Sequence, residues 1–229
     1  MLKSNTCWAD WPAATIGPGS EETDLKLYYS PGSCALASHL ALEEAGADYE
    51  AIRVDFKAGE QTQPAYLAIN PKGRVPTLVT DRGILTESPA ILAYIAQTHP
   101  QARLAPFDDP FALGQVQAFN SYLCSTVHVA HAHGPRGYRW ADDAAAQEAM
   151  KRKLPENVAE AFGLIELKML AGPWVMGEQF SICDPYLFTL GRWLEGDGVD
   201  IGRFPKVQAH RQRMEQRPAV NKVLPLHAG

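Results

Sequence analysis

The sequence predicts an α/β first half followed by an all-helical second half. Two observations carry this. Between residues 25 and 103, short stretches with apolar residues at every second position are separated by stretches with helical spacing and by proline- and glycine-bearing turns. From residue 111 onward no stretch alternates in that way. Residues 104–110 carry Pro106 and Pro110 and read as the linker between a domain over 25–103 and a helical domain over 111–229.

The first half reads in the order β-α-β-α-β-β-α. Leu25, Leu27 and Tyr29 alternate with Lys26 and Tyr28, the period of a half-buried strand. Ser30-Pro31-Gly32 is turn chemistry. From Cys34 the spacing becomes helical, with Leu36, Leu40, Ala37 and Ala41 assigned to one face and Gly46 placed for a left-handed cap. A second strand is expected over 49–56, where Ile52, Val54 and Phe56 alternate with Arg53 and Asp55. Residues 57–69 are polar and carry a short helix ending near Asn70. After the turn Asn70-Pro71-Lys72-Gly73, a third strand runs over 74–79, with Pro76 where an edge or a cis bond is common. Asp81-Arg82-Gly83 leads to a fourth strand at 84–86. Ser88 then fits an N-cap and Pro89 a first helical position, with Ile91, Leu92 and Ile95 on the buried face.

In the second half, helices are expected over about 111–130, 142–171, 182–195 and 205–216. Pro155 should kink or divide the second of these. Ser181-Ile182-Cys183-Asp184 has the spacing of a capping box, with Phe180 as its staple. As a cap, Asp184 would contribute about 1 kcal/mol.

Composition narrows the function classes. The chain has 229 residues, 46% hydrophobic and 21% charged, enough for two domains with cores of their own. A net charge of −5 lends no support to a nucleic-acid partner. Cys7, Cys34, Cys124 and Cys183 lack disulfide or zinc spacing, which points to a reducing, cytoplasmic compartment. No apolar run reaches the length of a membrane span, and no signal-peptide pattern opens the chain. Residues 1–24, with Trp8 and Trp11 among small, proline and acidic residues, read as a loosely ordered extension.

Three places could carry chemistry. Cys34 falls at a helix start, where unpaired N–H groups favour an anion and lower a thiol's pKa. It has no partner at Cys-x-x-Cys spacing, and a small buried packing residue is the alternative. His128, His131 and His133 form His-x-x-His-x-His, but no carboxylate or cysteine accompanies them at ligand spacing, so no metal is expected. Arg136, Tyr138, Arg139 and Trp140 would hold an acidic or planar substrate if they line a cleft, and would be a solvated loop if they do not.

Taken together, five motifs resemble the glutathione transferase family, and within it the bacterial cysteine-containing, beta-like class. They are Tyr28-Tyr29-Ser30-Pro31-Gly32-Ser33-Cys34, Asn70-Pro71-Lys72-Gly73-Arg74-Val75-Pro76, Leu85-Thr86-Glu87-Ser88, Gly177-Glu178-Gln179-Phe180-Ser181-Ile182-Cys183-Asp184, and Phe204-Pro205 followed by Arg217-Pro218. They span nearly the whole chain from residue 25 to residue 224. The resemblance implies a thioredoxin-like first domain, a homodimer, and glutathione as co-substrate with a small electrophilic or disulfide substrate. It implies that Val75, beside Pro76, pairs its backbone with the cysteinyl part of glutathione, with Arg74 alongside. Glu87 and Ser88 would hold the γ-glutamyl group, and Cys34, Ser33 and Tyr29 would surround the sulfur. Lys57 would meet the glycyl carboxylate, and His128 would face the sulfur from the helical domain. Val129 departs from the class, which carries a lysine there. The activity implied is conjugation, with glutathione-dependent thiol–disulfide exchange through Cys34 or non-catalytic binding as alternatives.

Overall fold

The computed structural model describes residues 25–228, and the expected extension over residues 1–24 lies outside the described residues. The first half runs β1 (Lys26–Tyr29), α1 (Ala35–Ala45), β2 (Glu50–Arg53), α2 (Pro64–Leu67), β3 (Thr77–Thr80), β4 (Gly83–Thr86) and α3 (Ser88–Thr98). Among the described residues the strands form one four-stranded sheet of order β2-β1-β3-β4. β1 is parallel to β2 and antiparallel to β3, and β3 pairs antiparallel with β4, the thioredoxin-like arrangement. The register sets Leu27 opposite Leu78, and Leu78 opposite Leu85, so the apolar side of the sheet is continuous. The third strand begins at Thr77 rather than at residue 74, since Pro76 has no N–H to give to a ladder.

α1 is enclosed on all sides. Every residue from Ala35 to Leu42 is buried, Ser38 and His39 included. The expectation of one apolar face is therefore too simple. Leu36 and Leu40 pack with Phe188, Met214, Val220 and Val223 of the second half, whereas Ala37, Ala41 and Leu42 pack with Leu27, Leu78 and Ile91 of the first. Gly46, at φ 66°, closes the helix by giving its N–H to the carbonyls of Leu42 and Glu43.

The second half runs α4 (Pro110–Tyr122), α5 (His128–Ala132), α6 (Ala144–Leu164), α7 (Cys183–Gly191), α8 (Pro205–Glu215) and α9 (Pro218–Val223). Asp109 caps α4 through the N–H groups of Phe111 and Ala112, and Asp143 caps α6 through that of Ala146. A π-helical turn over Leu123–Val127 joins α4 to α5, so the helix expected over 111–130 is interrupted there. α6 continues through Pro155, which does not divide it. Good helix formers precede the proline, and Val158, Ala159, Ala161 and Phe162 bury the turns after it, which offsets the roughly 3 kcal/mol a helical proline costs. α9, beginning at Pro218, was not among the expected helices.

The halves are bolted together across α1. Arg217 grips Glu44 through two N–H groups at 2.5 and 2.6 Å, and Lys222 meets Glu43 at 2.9 Å. A 3-10 turn over Leu224–His227 returns the chain end to α1, where His39 Nδ1 and His227 Nε2 lie 3.0 Å apart in the interior. Burial holds both imidazoles well below their ordinary pKa, so both are neutral at pH 7.

Asp184 is more than a cap. Its carboxylate accepts from Ser181 N–H at 2.7 Å, as the capping box requires, and also from Val175 N–H at 2.8 Å, with His210 Nε2 at 3.0 Å. It is fully buried. Removing it would strand several buried donors at about 1–3 kcal/mol each, so Asp184→Ala should cost about 3 kcal/mol or more. Denaturant unfolding would check this, and a loss near 1 kcal/mol would reduce Asp184 to an ordinary cap.

Candidate active site

A cleft of about 710 Å³ lies between the two halves. The first half contributes Ser33 and Cys34 at the start of α1, residues 72–76 ahead of β3, and residues 86–88 between β4 and α3. The second half contributes Cys124 from the π-helical turn, His128 from α5, the Arg136–Trp140 cluster and, beyond α7, Trp193. The indole N–H of Trp193 donates to the Gly32 carbonyl at 3.1 Å and closes the cleft beside the α1 start.

Cys34 occupies the N-terminal position of α1 and donates its thiol proton to the Val75 carbonyl at 3.5 Å. The thiol is not activated by its place at the helix start. Cys34 is half-buried on the cleft wall, and burial pushes its pKa up to about 11, while a hydrogen bond with Ser88 and the charge of Arg136 pull the other way. Ser33 also lines the cleft, but its hydroxyl donates to the Ser30 carbonyl at 2.6 Å and accepts from Ala35 N–H at 3.3 Å, so it holds the turn.

The Val75–Pro76 bond is cis, and the Val75 backbone lies on the cleft wall ahead of β3. The Arg74 carbonyl behind it is anchored by Tyr66 Oη–H at 2.7 Å and Asn70 Nδ2–H at 2.8 Å, and the Arg74 side chain reaches the cleft. Glu87 stands at φ 73°, a conformation that costs a non-glycine residue ~1 kcal/mol or more and tends to persist at ligand sites. This corrects the expected cap: Glu87 is the N-cap residue, Ser88 is the first helical residue, and neither side chain makes a cap bond to α3. Glu87 is free to face the cleft, where Lys72 Nζ meets its Oε1 at 2.5 Å and Thr86 Oγ1 at 2.6 Å.

Two expected positions lie elsewhere. Tyr29 shares the buried side of β1 with Leu27, because strand side chains alternate. Its ring packs on His227 at 4.8 Å and His39 at 5.1 Å and does not reach the cleft. Lys57 is held by the turn in which Asp55 Oδ1 accepts the N–H groups of Lys57 and Ala58, and it lines a separate recess with Arg53 and Arg192.

His128 lines the cleft edge-on to Trp193, with ring centroids 5.1 Å apart. Burial and the charges of Arg136, His131, Arg74 and Arg139 lower its pKa to about 4, so it is neutral at pH 7. His131 stacks on Trp193 at 4.2 Å and is held by Asp197 at 2.8 and 2.9 Å. That carboxylate is far away in sequence, so spacing around His131 could not reveal it. Among the described residues no group of three or more His, Cys, Asp or Glu side chains is placed to share a metal ion. The Arg136–Trp140 cluster lies in the cleft rather than on an outer loop, and Arg136 provides a charge near Cys34 where Val129 has none to give. Lys72, Cys124, Tyr186 and Trp193 also line the site and were not among the expected site residues. Only Lys72 sat inside a recognised motif.

Residues 23–97 match the family model of the glutathione S-transferase N-terminal domain, and residues 125–218 that of its C-terminal domain. Glutathione S-transferase GstA of Escherichia coli O157:H7 is 32% identical over 203 residues, covering 87% of this chain and 97% of that protein. A glutathione transferase homolog from Sulfitobacter, solved with bound glutathione, is 47% identical with a TM-score of 0.86, over 89% of this chain and 98% of that one. The beta class glutathione S-transferase of Sphingomonas chungbukensis is 34% identical with a TM-score of 0.77, over 89% and 98%. The chain belongs to the glutathione S-transferase family.

Proposed function

We propose that this protein conjugates glutathione to an electrophilic carbon, with glutathione lying from the α3 start to the α1 start. The observation that carries this reading is the sequence of groups along the cleft: Glu87 at a strained N-cap, the Val75 backbone ahead of β3, and the Cys34 thiol beside it. Glu87 suits the γ-glutamyl ammonium, while Ser88 and the α3 N-terminus suit the neighbouring carboxylate. The Val75 edge suits strand-like pairing with the cysteinyl residue. The glutathione bound to the Sulfitobacter homolog supports the choice of ligand.

The protonation of Cys34 decides between the two chemistries. A thiol with a pKa near 11 is a poor nucleophile at pH 7 but a competent hydrogen-bond donor. Beside a glutathione sulfur it can turn its S–H from the Val75 carbonyl to the stronger anionic acceptor. The glutathione thiol then loses its proton to solvent, and its thiolate attacks the electrophile. The C–S bond forms as the leaving group departs with its electron pair. Arg136 and Arg74 supply positive potential to the same space. Thiol–disulfide exchange would require the Cys34 thiolate, which burial opposes. The reading retains a homodimer and a cytoplasmic setting, the latter in keeping with the free Cys34, Cys124 and Cys183.

Alkylation of Cys34 by iodoacetamide should rise with pH toward a midpoint near 11, read against Cys34→Ser. A midpoint below 8 would restore the nucleophilic role. For conjugation of 1-chloro-2,4-dinitrobenzene, Glu87→Ala should raise the glutathione KM by roughly 5- to 30-fold, the value of a charge-assisted hydrogen bond, with kcat within about twofold. A fall in kcat at constant KM would remove Glu87 from glutathione binding.

A further inference from the structure

The two halves together give the cleft a charge pattern that glutathione alone does not satisfy. Lys72, Arg74, Arg136 and Arg139 line it, and the only carboxylate among the lining residues is Glu87, already shared with Lys72. Arg74, Arg136 and Arg139 make no ion pair among the described residues. Arg136 is half-buried, and its burial and the neighbouring Arg139 charge work against its own protonation. A half-buried guanidinium that faces a second cation and no anion is costly unless a ligand supplies the missing charge. The lining side chains carry three net positive charges, leaving aside the His131–Asp197 pair. Glutathione with an ionised thiol brings two net negative charges, so the occupied cleft stays cationic.

The same region offers flat surfaces. Trp140 stacks on His133 at 4.1 Å, Trp193 stacks on His131 at 4.2 Å, and Tyr138 stands between Arg136 and Arg139 in sequence. Trp140 and Tyr138 are 47% and 59% exposed, so these rings are open to a ligand and not spent in the core. All of these groups belong to the helical half, whereas the Val75 edge and the α3 start belong to the first half. A guanidinium beside exposed aromatic faces recognises a planar group that carries an anion.

Building on the glutathione reading, we propose that the second substrate is an aromatic electrophile bearing a carboxylate, whose anion is taken by Arg136 and Arg139 and whose ring lies against Trp140 and Tyr138. In the reaction the glutathione thiolate attacks the electrophilic carbon. The C–S bond forms, the bond from that carbon to its leaving group breaks, and the leaving group departs with the bonding electrons, while the thiol proton has gone to solvent.

Calorimetric titration of the full chain with glutathione, S-benzylglutathione and S-(4-carboxybenzyl)glutathione tests this without relying on turnover. The carboxybenzyl conjugate should bind about tenfold more tightly than the benzyl conjugate, and 0.5 M salt should shrink the difference. Arg136→Gln should reduce that ratio below threefold, as should Arg139→Gln, at an exposed position where the fold is not at stake. If glutathione binds and the two conjugates bind alike, the proposal fails while the glutathione reading stands. If the preference survives both substitutions, the assignment to these arginines is overturned. If neither glutathione nor a conjugate binds, the glutathione reading itself falls, and this proposal with it.

Discussion

The burial of α1 on every side is the constraint on which the rest of the structure depends. A helix that must satisfy the sheet and α3 on one flank and α7 and α9 on the other cannot shift without opening both cores. Its small residues let it approach α3, while Leu36 and Leu40 reach across to the helical half. The Glu44–Arg217 and Glu43–Lys222 pairs and the His39–His227 contact fix the same seam from its far side. Only the N-terminal end of α1 opens to the cleft, and that end carries Cys34. The position of the cysteine is therefore a consequence of how the two halves are joined.

The electrostatics of the site turn on a contest between two local effects. A helix N-terminus is worth ~0.3–1 kcal/mol to an anion, less than one pKa unit. Burial outweighs that, and the Cys34 thiol stays protonated. Burial also keeps His128 neutral, helped by the arginines around it. The cleft thus holds a neutral thiol and a neutral imidazole among the guanidinium groups of Arg74, Arg136 and Arg139, in a chain whose net charge is −5. Such a site stabilises an anion brought in by a ligand better than one generated on its own side chains.

Much of this was legible in the sequence because the signals are local. Strand alternation, the Gly46 cap and the cis-prone Pro76 are each set by residues a few positions apart, and the family motifs join them in order. What depended on which face of an element meets which partner was not legible. Tyr29 was assigned to the cleft, yet alternation with Leu27 sends it inward, a fact that matters only once His227 is seen to cover that side. The resemblance assigns Lys57 to the glycyl carboxylate, whereas the Asp55 turn directs it to a different recess. The Asp197 partner of His131 and the Arg136 charge near Cys34 are contacts between distant segments. The π-helical turn over Leu123–Val127 leaves no pattern in hydrophobic spacing, although it positions Cys124 and His128 at the cleft.

The central claim is that a neutral Cys34 thiol meets the sulfur of a glutathione laid along the Val75 edge. A crystal structure of the glutathione complex tests it most directly. The account predicts the glutathione sulfur within hydrogen-bond reach of Cys34 Sγ, the cysteinyl backbone paired with Val75, and the γ-glutamyl ammonium on Glu87, with no covalent bond to Cys34. A mixed disulfide at Cys34 in crystals grown under reducing conditions, or glutathione bound away from Val75 and Glu87, would contradict it.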